Sequence, residues 1–227
     1  MDTLLLTMQQ ALGEATLMTF WEAVAVMLAL AYLILAMRTN IWCWFAAFIS
    51  TAIYTVLFWN VSLLMESVLN IYYMGMAVYG YWLWLDVPPE QQGVEYHHID
   101  TAQLNITSWA WSTHAVVISI TLLVSVLVGY VMAQNTSAAF PYIDAATTCF
   151  AVVTTYLVAK KVLENWLYWV VIDLVSIYLY FQKGLMLTSG LFVLYVAMAV
   201  VGFIIWRKKY YLNMIQQDSL AQPVVCV

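Results

Sequence analysis

Met76-Ala77-Val78-Tyr79-Gly80-Tyr81-Trp82-Leu83-Trp84 and, 122 residues further on, Met198-Ala199-Val200-Val201-Gly202-Phe203-Ile204-Ile205-Trp206 share the pattern M-A-V-x-G-[YF]-x-x-W. Tyr73 and Tyr195 coincide at the same spacing. Upstream, Asn40 and Trp44 match Asn165 and Trp169 at an offset of 125, a loop of different length absorbing the difference. One shared Trp in apolar sequence means little. A long block with an upstream Asn and Trp points to a duplicated unit.

Composition says what that unit is made of. Of 227 residues, 65% are hydrophobic and 8% charged, whereas a soluble domain is about half apolar and a quarter charged. A soluble globule, a disordered chain and a disulfide scaffold are excluded. At roughly 20 residues per spanning helix, the chain has room for about seven. Apolar runs fall at 20–37, 41–59, 62–85, 109–133, 143–160, 163–182 and 186–206. Pro88, Pro89, Pro141 and Pro223 all lie outside these runs, so each helix is expected to be continuous, unlike the broken helices of many transporters. Cys43, Cys149 and Cys226 have no metal or disulfide spacing. A net charge of −5 argues against nucleic acid as a partner.

The expected fold is all-α and membrane-integral. It has a three-helix repeat at 20–85, a loop at 86–108, a linker helix at 109–133, a second repeat at 143–207 and a loose polar tail at 208–227. Three spans alone would invert the second copy, and the linker helix restores its direction, so the repeats are parallel. Arg38, Lys160, Lys161, Arg207, Lys208 and Lys209 collect on one side and Lys183 on the other. The positive-inside rule then puts the N-terminus outside and the C-terminus in the cytoplasm. Parallel repeats hold substrate between them near the midplane. Gly80 and Gly202 are expected to let helices pack closely.

Polar residues deep in a span carry the chemistry, because a charge at the bilayer centre costs roughly 2.5–3.5 kcal/mol on insertion scales. Asp173 is such a residue. Trp166, Trp169 and Tyr180 share its helix face by their spacing. A carboxylate among electron-rich rings suits a flat organic cation. Asn70 and Tyr73 share a face of the third helix and can hydrogen-bond hydroxyls or a carboxamide. Under the offset of 125, Asp173 aligns with Phe48, and Asn70 aligns with Phe192 at 122, so the ligand should be asymmetric. His97, His98 and His114 read as solvated. No metal site, cofactor or nucleophile–base pair is visible, which argues against an enzyme. The short tail argues against a seven-helix receptor.

Trp166, Trp169, Asp173 and Tyr180 spell W-x-x-W-x-x-x-D-x-x-x-x-x-x-Y, which resembles the sixth-helix signature of the PnuC family of vitamin transporters. Asn70 to Tyr73 and Tyr79 to Trp82 are similar to the family's third-helix segment. The resemblance covers about residues 20–207. It implies a 3+1+3 parallel-repeat architecture distantly similar to SWEET sugar transporters, a homotrimer in the inner (plasma) membrane, and facilitated diffusion of nicotinamide riboside without ion coupling. Trp166 and Trp169 would then hold the pyridinium ring. Asp173 would meet the positive charge or a ribose hydroxyl, Asn70 and Tyr73 the polar groups, and Tyr180 and Tyr195 would close the pocket. Thiamine, another flat cation, or a riboflavin-like vitamin is the alternative cargo.

Overall fold

The computed structural model describes residues 20–60, 64–85, 105–136, 139–182, 184 and 186–221. These form seven helices: α1 (Phe20–Met37), α2 (Cys43–Asn60), α3 (Leu64–Leu85), α4 (Trp111–Asn135), α5 (Pro141–Ala159), α6 (Asn165–Gln182) and α7 (Met186–Ala221). Pro88, Pro89, His97 and His98, most of the 86–108 loop, the Glu66 side chain, Lys183 and the chain beyond 221 lie outside the described residues.

Helix bounds follow the apolar runs because an uninterrupted helix satisfies its own backbone groups where water is absent. Pro141 opens α5, where its missing N–H costs nothing. Phe20–Met37, Trp111–Asn135, Pro141–Ala159 and Thr188–Ile215 are long and apolar enough to cross a membrane. Cys43–Trp59 of α2 is apolar but shorter. Ser50 on α2, Asn70 on α3 and Asp173 on α6 are all buried, so these polar side chains face protein.

The expected loose tail from 208 onward is instead a continuation of α7, which runs to Ala221. Two of its polar side chains are docked. Lys209 Nζ donates to the Arg38 carbonyl at 2.8 Å and to Thr39 Oγ1 at 2.7 Å. Asn213 Nδ2 donates to Asn105 Oδ1 at 3.4 Å.

Each helix packs on its chain neighbour within α1–α2–α3 and within α4–α5–α6–α7, and the two sets meet where α3 lies on α5 and α1 on α7. Both helix ends at this junction finish in the same turn. The Asn40 and Thr39 amides donate back to Leu35 and Ala36, both at 2.9 Å, while those of Val162 and Lys161 donate to Leu157 and Val158, both at 3.0 Å. This double closure needs a residue at positive φ, supplied by Thr39 at 60° and Lys161 at 51°. These are unusual residues for a conformation that favours glycine.

Beyond each turn a Trp lies on a glycine of the last helix in its set. Gly80 faces the Trp44 ring, and a Cβ added to Gly202 would stand 2.7 Å from Trp166 Cε3. Trp44 meets Trp84 edge-on at 5.3 Å and 83°, and Trp166 meets Trp206 at 5.4 Å and 87°. The bonds between sets are reciprocal: Trp84 Nε1 donates to the Ala159 carbonyl at 2.9 Å and Trp206 Nε1 to the Ala36 carbonyl at 3.1 Å. Ser67 to the Thr55 carbonyl and Ser189 to the Ile177 carbonyl form another matched pair, at 2.9 and 3.3 Å.

These contacts correct the upstream register. Trp44 corresponds to Trp166, not Trp169, and the offset is 122 throughout. At this offset the helix bounds of α2 and α6 coincide. Asn40 then stands opposite Val162, and Asp173 opposite Thr51 rather than Phe48.

Lys161 is fully buried in its turn, with Nζ 4.2 Å from the Trp84 ring centre. Burial pulls its pKa down from 10.5 to about 8; Lys209 adds repulsion, and Cys43 acts in the opposite sense.

Two outcomes follow from this junction. Gly202→Ala should destabilise by about 1–3 kcal/mol, the usual cost of overpacking, and lower the melting temperature in detergent. Gly75→Ala, in the interior of α3 where nothing lies within 4 Å, should not lower it and should raise it slightly, since Ala favours the helix over Gly by about 0.5–1 kcal/mol. Between pH 8 and 10.5 the unfolded chain still holds the Lys161 proton that the folded protein has shed, so stability should rise with pH across that window. Lys161→Met should flatten the rise, as read by thermal unfolding at stepped pH.

Candidate functional site

Asp173 is the ninth residue of the 18-residue α6, at its middle. Its residue is 5% exposed, and what exposure remains is onto a cavity of about 500 Å³. Five helices build the walls. α3 gives Leu69 and Tyr73, α4 Val128 and Met132, α5 Asp144 and its following threonines, α6 Trp169 to Tyr180, and α7 Phe192. No hydrogen bond reaches the Asp173 carboxylate from the described residues. An acid in an apolar bundle without a committed partner is a functional feature by default.

The cavity collects four of the seven residues expected at a binding site: Tyr73, Trp169, Asp173 and Tyr180. The other three stand elsewhere. Trp166 does not reach it; the ring is 1% exposed and fixed between Gly202 and Trp206. Asn70 is buried one turn from Tyr73, engaged with a neighbour and outside the lining. Tyr195 stands behind the wall: its ring meets Phe192 edge-on at 5.5 Å, and Phe192 stacks on Tyr180 at 5.1 Å.

Sequence reasoning missed Asp144, Ser176 and Phe192. Ser176 was available, since it follows Asp173 by three residues on the same face. Asp144 lies in the first turn of α5, where an acid reads as an ordinary helix-start residue. Only the fold brings it to the cavity that holds Asp173. With both acids in the wall and no Lys, Arg or His among the lining residues, the cavity is an acidic one with aromatic faces. It can hold a flat cation against Trp169 while phenols and hydroxyls serve its polar edges.

His114, expected in solvent, is 3% exposed. Its Nδ1 is 3.0 Å from the Tyr168 hydroxyl and Nε2 is 3.6 Å from Glu164 Oε2. Glu164 also accepts from Ser108 Oγ and from the Trp109 amide at 3.4 Å. The cluster fastens the start of α4 to the start of α6, outside the acidic cavity.

Residues 19–208 match the model of the family described as Nicotinamide mononucleotide transporter. The relative named Nicotinamide riboside transporter PnuC from Escherichia coli (strain K12) is 20% identical over 200 residues, covering 82% of this chain and 84% of its own. Its counterpart from Shigella flexneri has the same identity and coverage. Among solved structures, one titled Crystal structure of the Vitamin B3 transporter PnuC superposes with a TM-score of 0.65 at 19% identity, covering 92% of this chain and 89% of that one. At that identity the likeness speaks for the fold.

Unequal roles for the two α6 tryptophans and the acid should separate in stability. Trp166→Ala removes a fully buried indole, which typically costs about 3–5 kcal/mol, and should lower the melting temperature sharply. Asp173→Asn, a near-isosteric change on a cavity wall, should lower it little.

Proposed function

The chain belongs to the nicotinamide mononucleotide transporter family, and from that premise we propose that it carries nicotinamide riboside across the membrane, bound in the cavity around Asp173. The observation that carries this reading is the composition of the wall. At about 500 Å³ the cavity falls within the roughly 300–1,000 Å³ typical of small-ligand sites. Nicotinamide riboside offers a flat pyridinium cation, a carboxamide and ribose hydroxyls. Trp169 takes the ring, Asp173 the positive charge or a hydroxyl, and Tyr73 and Tyr180 the polar edges. Asn70 and Tyr195 hold that lining from behind. Trp166 keeps to packing.

The same wall favours the riboside over its phosphorylated form. A phosphate dianion would face Asp144 and Asp173 with no cation among the lining residues, and like charges brought together out of water cost several kcal/mol. The family description names the mononucleotide; the charges in this cavity argue for the dephosphorylated nucleoside.

In this reading all seven helices span the membrane, as parallel repeats at 20–85 and 143–207 around the linker helix 109–133, with the N-terminus outside and the C-terminus in the cytoplasm. The recurring contacts at an offset of 122 support the repeat. Ser50, Asn70 and Asp173, turned into protein, fit α2, α3 and α6 as further spans. Transport is uncoupled facilitated diffusion across the inner membrane, as in the resembling family. A cytoplasmic kinase traps the product as an anion that the acidic cavity no longer accepts. The assembly is a homotrimer.

Calorimetry on the detergent-purified protein tests the reading with nicotinamide riboside, the mononucleotide, nicotinamide and thiamine as ligands. The riboside should bind and the mononucleotide should not. Asp173→Asn should weaken the riboside at least about tenfold, or ~1.4 kcal/mol. Preferential binding of the mononucleotide, or of thiamine, would contradict it.

A further inference from the structure

A second cavity, of about 140 Å³, adjoins the first. Tyr73 and Trp169 line both, so these two side chains form the partition between them. The small chamber is otherwise walled mainly by the first set of helices, including Ala29, Tyr32, Ala47, Ser50 and Thr51, with Thr155 from α5. At the offset of 122, Ala29, Ala47, Ser50 and Thr51 are the counterparts of Ala151, Trp169, Ile172 and Asp173, all four of which line the large cavity. The small chamber is therefore the first copy's version of the acidic wall, with a hydroxyl where the second copy has its carboxylate and a methyl where it has its indole.

Its hydroxyls are already committed as donors. Ser50 Oγ donates to the Ala25 carbonyl at 2.9 Å, Thr51 Oγ1 to that of Ala47 at 2.8 Å, and Thr155 Oγ1 to that of Ala151 at 2.8 Å. A hydroxyl oxygen that has donated its proton still offers lone pairs. The wall thus presents neutral acceptors, and no charged residue lines the chamber. Its volume is below that of sites holding a whole small ligand and suits one compact ring. The complementary group is small, uncharged and rich in O–H donors.

Resting on the riboside reading above, we propose that this chamber is the sugar subsite: Ser50, Thr51 and Thr155 accept from the ribose hydroxyls while the base lies against Trp169 in the acidic cavity. Discrimination between the nucleoside and its free base then resides in the first copy, and recognition of the cation in the second. The partition residues Tyr73 and Trp169 lie at the junction of sugar and base.

The test compares affinities for nicotinamide riboside and free nicotinamide in the full chain carrying Thr51→Val and Thr155→Val together. Each change keeps shape and removes an acceptor. Riboside affinity should fall about tenfold, with nicotinamide binding unchanged, and Thr51→Ser alone should keep wild-type affinity. If the double variant fails to fold, Thr51→Val alone is measured, with a smaller loss expected for the riboside only. Riboside binding that matches wild type in the folded variant, or an equal loss for both ligands, would overturn the subsite and leave the acidic cavity standing. A wild-type protein that does not bind the riboside would overturn the functional reading and the subsite with it.

Discussion

Two indole N–H groups hold the halves of this protein together. Trp84 reaches from the end of α3 to the last carbonyl of α5, and Trp206 reaches from α7 to the end of α1. Carbonyls in the last turn of a helix have no intrahelical partner, and a buried indole needs an acceptor, so each group answers the other's need. The bonds run in opposite directions between the halves, which fixes α3 on α5 and α1 on α7 at once. Everything else at this end serves the geometry. The positive-φ turns at Thr39 and Lys161 end the helices where their carbonyls are exposed. Gly80 and Gly202 let Trp44 and Trp166 lie flat against the last helices, and those rings brace the two donors edge-on.

A symmetric frame of this kind leaves the middle of the bundle free to differ. At matched positions the first half has Ala47 and Thr51, and the second has Trp169 and Asp173. Small and neutral residues on one side, against large and acidic ones on the other, produce unequal adjoining cavities from one backbone plan. An asymmetric ligand with a flat charged part and a hydroxylated part has a place for each. The frame supplies position; two substitutions between copies supply the chemistry.

Much of this was legible in the sequence, for physical reasons. Apolar runs set the helices because lipid permits little else, and the block ending in Trp84 and Trp206 pointed to the matched contacts because packing on glycine tolerates few alternatives. The upstream register was misread because Trp recurs in apolar helices. Only the ring seated on Gly202 identifies Trp166 as the partner of Trp44. The same residue, expected at the ligand, does not line the cavity. It shares an angular face with Asp173, but lies seven residues away, roughly 10 Å along the axis at 1.5 Å per residue, where the packed junction has replaced the cavity. Periodicity reads angle and is blind to where along a helix a cavity ends. Asp144 and the burial of His114 depend on contacts between distant segments, which no local pattern encodes. The helical extension past Lys209 was hidden because Lys209 docks on the α1–α2 turn and Asn213 on Asn105, contacts between distant segments.

On the proposed function, an acidic, aromatic cavity between two like halves passes a neutral-sugar, cationic-base nucleoside down its own gradient. The most direct measurement is uptake of radiolabelled nicotinamide riboside into liposomes carrying the purified protein, with no ion gradient imposed. The riboside should equilibrate to equal concentrations on both sides, that flux should be lost in Asp173→Asn, and the mononucleotide should show none. Riboside uptake that appears only with a sodium or proton gradient, or mononucleotide flux equal to that of the riboside, would contradict it.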